Sequence, residues 1–332
     1  MAAYILRRIL TMIPTLFLIS ILVFVIIELP PGDYFESYVA ELKALGEQAD
    51  LAEIEMLRER YGFDQPQYIR YLHWVGGMFH GDFGYSFAYR LPVSEVVGDR
   101  LWLTFVLSFL TILFTWIVAF PIGIYSATHQ YSWGDYGLTF LGLIGLAVPN
   151  FMLALLMMYF ANIWFGLSIG NLMDSTYLDQ PMSWAKAQSI LSHIWIPVII
   201  IGMAGTAGMV RRLRANLLDE LQKQYVITAR AKGLAPGRVL RKYPLRMALN
   251  FFIADIGSIL PAMISGAEVT AIVLSLETTG PMLIRALQSQ DMYLAGSFLM
   301  FLAVLTVVGV LISDIALALL DPRIRLGRGN AK

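Results

Sequence analysis

Six long apolar runs constrain this chain more than any other feature of its sequence. A helix needs about 20 mainly apolar residues to cross the hydrocarbon core of a bilayer, and each run is at least that long. Lipid offers no hydrogen-bond partners to an open backbone, so each run is expected to be an α-helix. The sequence therefore predicts an all-α polytopic membrane protein with six transmembrane helices. Their approximate limits are Ile9–Leu29, Leu101–Ala127, Gly137–Phe165, Ile190–Val210, Phe251–Leu274 and Gly296–Leu320.

The composition supports a membrane protein and excludes several classes of function. Of the 332 residues, 58% are hydrophobic and 14% are charged, against about 25% charged in a typical soluble domain. The chain has no cysteine, which excludes thiol chemistry. It has no Gly-x-x-x-x-Gly-Lys-Ser/Thr motif, and its four histidines have no metal-ligand spacing. We therefore expect no enzyme activity, no cofactor or metal in this chain, and no nucleic-acid partner.

Basic residues are distributed unequally between the two sides of the predicted membrane bundle. Segments on the side of the N-terminus carry 16 Lys or Arg and 4 Asp or Glu, whereas the opposite segments carry 8 basic and 16 acidic residues. Loops rich in Lys and Arg face the cytoplasm, so this bias predicts an N-in/C-in orientation. The predicted parts are an N-terminal transmembrane helix at 1–29, an extracytoplasmic loop subdomain at 30–100, a five-helix core at 101–320 with a cytoplasmic loop at 211–250, and a cytoplasmic tail at 321–332.

The extracytoplasmic loop is predicted to contain two short helices. Residues 50–61 have apolar side chains at helical spacing, and Gly62 is a suitable C-cap for them. Tyr68, Leu72 and Trp74 then indicate a second, amphipathic helix of the kind that lies on a membrane surface. The loop is either a small packed cap or a docking surface for an extracytoplasmic partner, and the two are compatible.

Prolines and glycines inside the predicted spans indicate kinks and close helix contacts. A proline in a membrane helix frees a carbonyl group and permits a kink, which either lines a substrate path or serves ordinary packing. Small residues such as Gly202 allow two helices to approach closely. The prolines in the spans lie at positions 121, 149, 197 and 261.

The segment 211–250, here termed the basic loop, carries ten Lys or Arg residues between two predicted spans. Its first part is compatible with one continuous helix up to Lys232, which Gly233 would end. The Ala235-Pro236-Gly237 sequence predicts a turn. A new helix near Arg238 would then continue towards the fifth span.

One side of the first helix in the basic loop suits contact with a partner. Tyr225, Ala229 and the Lys232–Gly233 end are placed on one side by their spacing. Small Ala229 and Ala231 would let a partner's backbone approach, and nearby arginines could pair with acceptors at the rim. Alternatively, the basic loop only follows the positive-inside bias or contacts anionic lipid. Spacing alone leaves both interpretations open.

The basic loop resembles the EAA loop of binding-protein-dependent ABC importer permeases, whose pattern is Glu-Ala-Ala, three residues and then Gly. Ile227-Thr228-Ala229 occupies the position of Glu-Ala-Ala, and Gly233 is the glycine of the pattern. The residues Thr228–Leu234 have the sequence that is usual in the oligopeptide and dipeptide branch. Further matches are spread over nearly the whole chain, which is therefore similar to the B-type permease subunit of a peptide-family importer. They are Arg7-Arg8, Pro31-Gly32-Asp33, Tyr61–Pro66, Gly81–Gly84 and Leu320–Arg323.

The resemblance implies the type I ABC importer permease fold and one half of a membrane pair in the bacterial inner membrane. A second related permease subunit would complete the path, and two cytoplasmic ATPase subunits would bind ATP and Mg. An extracytoplasmic solute-binding protein would deliver the solute. The EAA loop would hold the coupling helix that sits in a groove of one ATPase subunit. By position, the implied contact residues are Tyr225, Thr228, Ala229, Arg230, Ala231, Gly233 and Leu234.

Only the resemblance of the sequence motifs to those of peptide-family permeases indicates the solute. The Glu28-Leu-Pro-Pro-Gly-Asp-Tyr34 sequence departs from the single-proline form that is commoner in peptide permeases. Relatives in this broad family also carry oligosaccharides, opines or nickel. We expect a peptide-like solute, with an oligosaccharide or an opine as the alternative.

Three carboxylates within the spans support two rival interpretations. A stand-alone secondary carrier would use Asp255, Glu268 and Asp314 at mid-membrane to bind protons or sodium. Glu268 would be a cavity or gate residue, or else a carboxyl group that is hydrogen-bonded between helices. An intramembrane aspartyl protease would pair Asp255 with Asp314 for acid–base chemistry, but neither stands in a Gly-x-Gly-Asp sequence. ATP dependence of uptake would separate the carrier from the importer subunit.

Overall fold

The computed structural model is mostly helical over the residues that it describes, which confirms the predicted predominance of helices. The described residues are 2–32, 34–44, 51–60, 62–166, 170–177, 180, 183–250, 252 and 268–320. The helices are α1 (Ala2–Glu28), α2 (Tyr34–Ala44), α3 (Leu51–Arg60), α4 (Gln67–Phe79), α5 (Val93–Thr128), α6 (Trp133–Ala147), α7 (Asn150–Phe165), α8 (Trp184–Leu221), α9 (Gln224–Ala231), α10 (Pro236–Lys242), α11 (Pro244–Ala248), α12 (Glu268–Val273), α13 (Thr279–Gln288) and α14 (Met292–Leu320). Two short strands, β1 (Tyr85–Ser86) and β2 (Leu91–Pro92), pair antiparallel, and a 3₁₀ turn covers Ser175–Tyr177.

In the described part of the chain, four helices are long and apolar enough to cross a membrane, and a bent pair would make a fifth span. The four correspond to the predicted first, second, fourth and sixth spans. α5 has 36 residues and α8 has 38, so both extend well beyond a bilayer. The predicted fifth span lies mostly outside the described residues, apart from Phe252 and the residues from Glu268 onward. The total of six spans therefore stays a prediction.

The predicted third span, Gly137–Phe165, is divided into α6 and α7, and the chain bends by 94° between them. Val148 takes an extended conformation, and Pro149 directly precedes α7. Proline has no N–H for the helical ladder and disfavours the helical conformation of the residue before it. The predicted span is therefore two helices joined at a sharp bend, at one of the prolines that the sequence indicated as a site for a kink.

Close packing joins α5 and α8. A side-chain carbon added at Gly202 would lie 2.6 Å from the Phe114 ring, and one added at Gly123 would lie 2.9 Å from Leu213. This confirms that Gly202 allows a close helix approach. Because the residue numbers rise together along the two helices, α5 and α8 run in the same direction. Buried side chains beside this contact are Leu107, Ile194, Ile196, Ile200 and Leu217.

The start of α1 lies on the same side of the bundle as the end of α14. Arg8 in α1 donates a hydrogen bond to Asp314 in α14 at 3.0 Å. At the opposite side, Val93 at the start of α5 packs with Leu294 at the start of α14. α5, α8 and α14 therefore all end on the side where α1 begins. This side also holds the basic loop and is termed the basic side.

The described residues between α1 and α5 form a small subdomain at the side opposite the basic side. The helix predicted over 50–61 is present as α3, and Gly62 ends it with φ +71°. Phe63 N–H donates to Arg58 O at 2.9 Å, which confirms Gly62 as a C-cap. The subdomain is held together by a cluster of aromatic rings. Its members are Tyr34, Phe35, Phe63, Phe87 and Tyr293.

Asp291 joins this subdomain to the last long helix. Its carboxylate is fully buried and accepts hydrogen bonds from Ser86 Oγ at 2.7 Å and Ala88 N–H at 3.1 Å. It also accepts from Leu294 N–H at 3.2 Å, in the first turn of α14. A buried carboxylate with three donors ties the β-hairpin to the start of α14.

Candidate functional site

The basic loop folds into a small helical unit at the basic side of the bundle. α9 and α10 pack against each other through the buried residues Val226, Ala229 and Val239. Leu234 and Tyr243 are half-buried beside them. The loop therefore has an apolar core of its own, which holds α9 and α10 together.

The turn between α9 and α10 depends on Gly233. Its φ is +74°, in the left-handed region that other L-residues rarely adopt. Gly233 N–H donates to Arg230 O at 2.9 Å, and Leu234 N–H donates to Ala229 O at 3.3 Å. This is the hydrogen-bond pattern of a glycine C-cap. The prediction that Gly233 ends the helix is confirmed.

The prediction that one helix continues from residue 211 to Lys232 is wrong. α8 ends at Leu221, α9 begins at Gln224, and Lys223 between them is extended with φ −69° and ψ 147°. Neither glycine nor proline lies at this break. The turn brings Val226 into contact with the core of the loop, where it is fully buried, so tertiary packing overrides local helix propensity here.

The helix predicted from Arg238 towards the fifth span is divided as well. α10 ends at Lys242, and α11 begins at Pro244 after Tyr243, whose backbone has φ −116° and ψ −79°. Pro244 supplies no N–H to continue α10 and restricts the residue before it. The chain therefore takes a second turn before it returns to the bundle.

The seven residues implied as partner contacts are divided by burial. Ala229 is 4% exposed and Leu234 is half-buried, because both pack in the core of the loop. The structure therefore places these two side chains beneath the surface of α9. The others are exposed, namely Tyr225, Thr228, Arg230, Ala231 and Gly233.

The outer face of α9 is formed by Ile227, Thr228 and Ala231. These residues lie opposite Val226 and Ala229 on the helix, and Ile227 is 50% exposed. Ile227 was absent from the contact residues implied by the sequence, where it appeared only as a departure from the Glu-Ala-Ala pattern. The sequence signal that could have identified Ile227 was the spacing of Val226 and Ala229, which marks the buried side of α9 and leaves Ile227 on the opposite side. The outer face is a small, mainly apolar patch on a basic loop.

Tyr225 bridges the break between α8 and α9. Its hydroxyl donates a hydrogen bond to the Glu220 carboxylate, and its ring centre lies 6.3 Å from that of Tyr243. Burial, together with the nearby Glu220 charge, raises the pKa of Tyr225 to about 12. The hydroxyl therefore remains protonated near neutral pH and continues to donate. Tyr225 links α9 to the end of α8.

An ion pair joins the root of the basic loop to the α5–α6 connection. Arg214 in α8 donates to both oxygens of Asp135 in α6, from Nε at 3.1 Å and from Nη2 at 2.8 Å. The Asp135 side chain is only 3% exposed. Asp135 also accepts from Tyr131 N–H, and its own N–H donates to Ser132 Oγ at the start of α6. The Ser132-x-x-Asp135 spacing typical of a capped helix was the only sequence signal for this pair.

The carboxylates considered for a carrier or a protease have separate positions. Asp314 accepts a hydrogen bond from Arg8, and this ion pair explains how α14 accommodates a charged residue. Asp255 lies outside the described residues. Glu268 begins α12, but its side-chain environment also lies outside them. Within the described part of the chain, no group of three His, Asp or Glu side chains could hold a metal ion.

Comparison with known proteins places similarity along the whole chain. The family model described as binding-protein-dependent transport system inner membrane component matches residues 119–326, and the model of its N-terminal region matches residues 1–108. The oligopeptide transport system permease protein AppB of Bacillus subtilis is 35% identical over 328 residues, covering 98% of this chain and 99% of the relative. The dipeptide transport system permease protein DppB of Escherichia coli is 29% identical over 341 residues, with the same coverage. A putative peptide transport system permease protein of Brucella abortus is 30% identical over 328 residues, again covering 98% and 99%.

Removing Arg214 should destabilise the protein more than removing an exposed arginine of the same helix. Arg214→Met leaves the buried Asp135 carboxylate without its cation, and breaking a buried pair costs about 3–5 kcal/mol. Because the Arg214 side chain is 27% exposed, we expect a loss near or below the lower end of that range. Arg211→Met is the matched control, since Arg211 is exposed on α8.

Thermal unfolding of the purified protein in detergent measures this difference. The midpoint should fall for Arg214→Met and stay close to the unaltered value for Arg211→Met. Equal midpoints for the two variants would show that the Arg214–Asp135 pair does not hold the basic loop to the bundle.

Proposed function

Because the chain belongs to the family of inner-membrane components of binding-protein-dependent transport systems, we propose that it forms half of the translocation path of an ATP-driven importer. The proposed partners are a second related permease subunit, two cytoplasmic ATPase subunits that bind ATP and Mg, and an extracytoplasmic solute-binding protein. The observation that carries the proposal is the compact basic loop, which presents the outer face of α9 at the basic side of the bundle.

The proposed orientation places the basic side in the cytoplasm, with the N- and C-terminal ends both inside. The directions of α1, α5, α8 and α14 support it, since the basic loop shares a side with the start of α1 and the end of α14. The excess of Lys and Arg in the segments on this side supports a cytoplasmic position for it. The chain would contribute six spans, arranged as in a type I ABC importer permease. Glu268 at the start of α12 is proposed as a cavity or gate residue.

We assign the coupling contact to the exposed part of α9. Ile227, Thr228 and Ala231 form a mainly apolar outer face that a groove of an ATPase subunit would cover. Arg230 and Gly233 lie at the exposed end of the same helix. Apolar burial at the centre with charged groups at the rim is the usual arrangement of a protein interface. The buried Ala229 and Leu234 would support this contact from beneath, and Tyr225 would support it from the side.

Displacement of α9 has a continuous route into the membrane helices. The core of the basic loop holds α9 to α10, and the Tyr225–Glu220 hydrogen bond links α9 to the end of α8. The Arg214–Asp135 pair then links α8 to α6, and tight packing links α8 to α5. Coupling between distant sites is carried by chains of packed side chains, hydrogen bonds and ion pairs. We propose that closure of the ATPase subunits moves this assembly and changes which side of the membrane the path opens to.

The proposed solute is a peptide, because the similar proteins bear the names of oligopeptide and dipeptide permeases. An oligosaccharide or an opine is the alternative. The complete transporter in proteoliposomes should take up peptide only with ATP and the solute-binding protein, and the chain without its partners should take up none. Uptake by the isolated chain would favour a stand-alone carrier. Binding of sugars but not peptides by the solute-binding protein would withdraw the peptide assignment.

Replacing Gly233 should separate ATP hydrolysis from transport. Gly233→Val forces a β-branched residue into a left-handed conformation, which costs at least about 1–2 kcal/mol and disfavours the turn that positions α9. We expect uptake in proteoliposomes to fall several-fold while the ATPase subunits keep hydrolysing ATP. Gly233→Asn should retain most of the uptake, since Asn tolerates this conformation.

Gly237→Val is the matched control within the same loop. Gly237 lies in α10 without a positive φ, and a side-chain carbon there meets nothing within 4 Å. Its uptake should stay coupled to hydrolysis. Coupled transport by Gly233→Val would refute the role assigned to the α9–α10 turn.

A further inference from the structure

Helix α4 packs against the ends of two membrane-spanning helices at the side of the bundle opposite the basic loop. Arg70 donates to both carboxylate oxygens of Glu28, at 2.7 and 2.9 Å, where α1 ends. One turn further along α4, the buried Trp74 packs against Phe24 of α1 with ring centres 6.0 Å apart. Its indole N–H donates to Ser297 Oγ of α14 at 3.3 Å.

These contacts fix the level of α4 relative to the membrane. Phe24 lies one turn inside the end of α1, or about 6 Å below Glu28 at a rise of 1.5 Å per residue. Ser297 lies five residues inside α14, or about 7.5 Å below Met292 by the same rise. Arg70 is therefore level with the charged end of α1, and Trp74 is level with the apolar part of both spans.

The surface of α4 that faces away from α1 and α14 is also apolar. Tyr68 is 67% exposed, Leu72 is 63% exposed and Phe79 is 85% exposed. Their spacing places them on one face, opposite Trp74. No residue in the described part of the chain covers this face. At the same level, α1 exposes Leu22, Val25 and Ile26.

We propose that α4 is an interfacial membrane helix, with its outward face of Tyr68, Leu72 and Phe79 seated in lipid at the boundary of head groups and acyl chains. The occupant is the bilayer because that face is level with apolar residues of α1, a helix long and apolar enough to cross a membrane. Interfacial helices bury their apolar face about 5–10 Å into the boundary of head groups and acyl chains, and Trp74 meets α1 at a comparable depth below Glu28. Tyrosine is favoured at this boundary.

This position gives α4 two attachments. Its inner face is bound to α1 and α14 through Arg70 and Trp74, and its outer face is held by lipid. The aromatic cluster of the subdomain joins α4 through Phe63, over whose ring the Arg70 guanidinium lies at 4.7 Å. Lipid contact at α4 would therefore hold the whole subdomain in a fixed orientation above the membrane.

The absence of cysteine from the chain allows a direct test with single spin labels. Leu72→Cys and Phe79→Cys would be labelled with a nitroxide in the complete transporter, reconstituted into lipid bilayers and checked for uptake. His73→Cys is the matched control, because His73 is exposed on another side of α4 and lines a polar cavity with Glu59 and Asp82. Power saturation compares the access of apolar oxygen and of a water-soluble nickel chelate to each label.

At positions 72 and 79 the label should be more accessible to oxygen than to the chelate. Position 73 should show the reverse. Greater access of the chelate at all three positions would overturn the proposal, since the outward face would then lie in water. Protection of positions 72 and 79 from both reagents would also overturn it, because a partner protein would then cover the face instead of lipid.

Discussion

The close contact between α5 and α8 determines how the rest of the bundle is arranged. Gly202 faces Phe114 and Gly123 faces Leu213 with no room for a side chain on either glycine. Apolar attraction is weak between helices that lipid already surrounds, so such contacts rely on close packing of small residues. The two helices are thereby held parallel over many turns. The basic loop follows α8 directly, and this packing holds its root against the bundle.

Ion pairs near the ends of the helices stabilise this arrangement. Arg8 pairs with Asp314, Arg70 pairs with Glu28, and Arg214 pairs with Asp135. A charge near hydrocarbon is costly unless a partner of opposite sign neutralises it, so each pair restricts which helix ends can meet. The first two pairs join the ends of α1 to neighbouring elements at both sides of the bundle. The third joins the root of the basic loop to α6.

The sequence predicted the features that depend on local chemistry and missed those that depend on distant partners. Apolar runs revealed the long helices. Gly62 and Gly233 were recognised as caps because the chain needs a left-handed conformation after α3 and α9, which glycine adopts readily. The break before α9 carries no local signal, because it arises from burial of Val226 in the core of the loop. The Arg214–Asp135 pair joins residues 79 positions apart, which spacing along one helix cannot indicate. Pro149 marked a kink, and the structure gives that kink an angle of 94°.

The central claim is that a nucleotide-hydrolysing partner covers the outer face of α9. A benzophenone label on Ala231→Cys, in the otherwise cysteine-free chain of the assembled transporter, tests it most directly. Trp184→Cys is the control, because Trp184 is 84% exposed at the opposite end of α8. Illumination should cross-link position 231, and not position 184, to an ATPase subunit. Failure of position 231 to cross-link with any ATPase subunit, or equal cross-linking from both positions, would contradict the account.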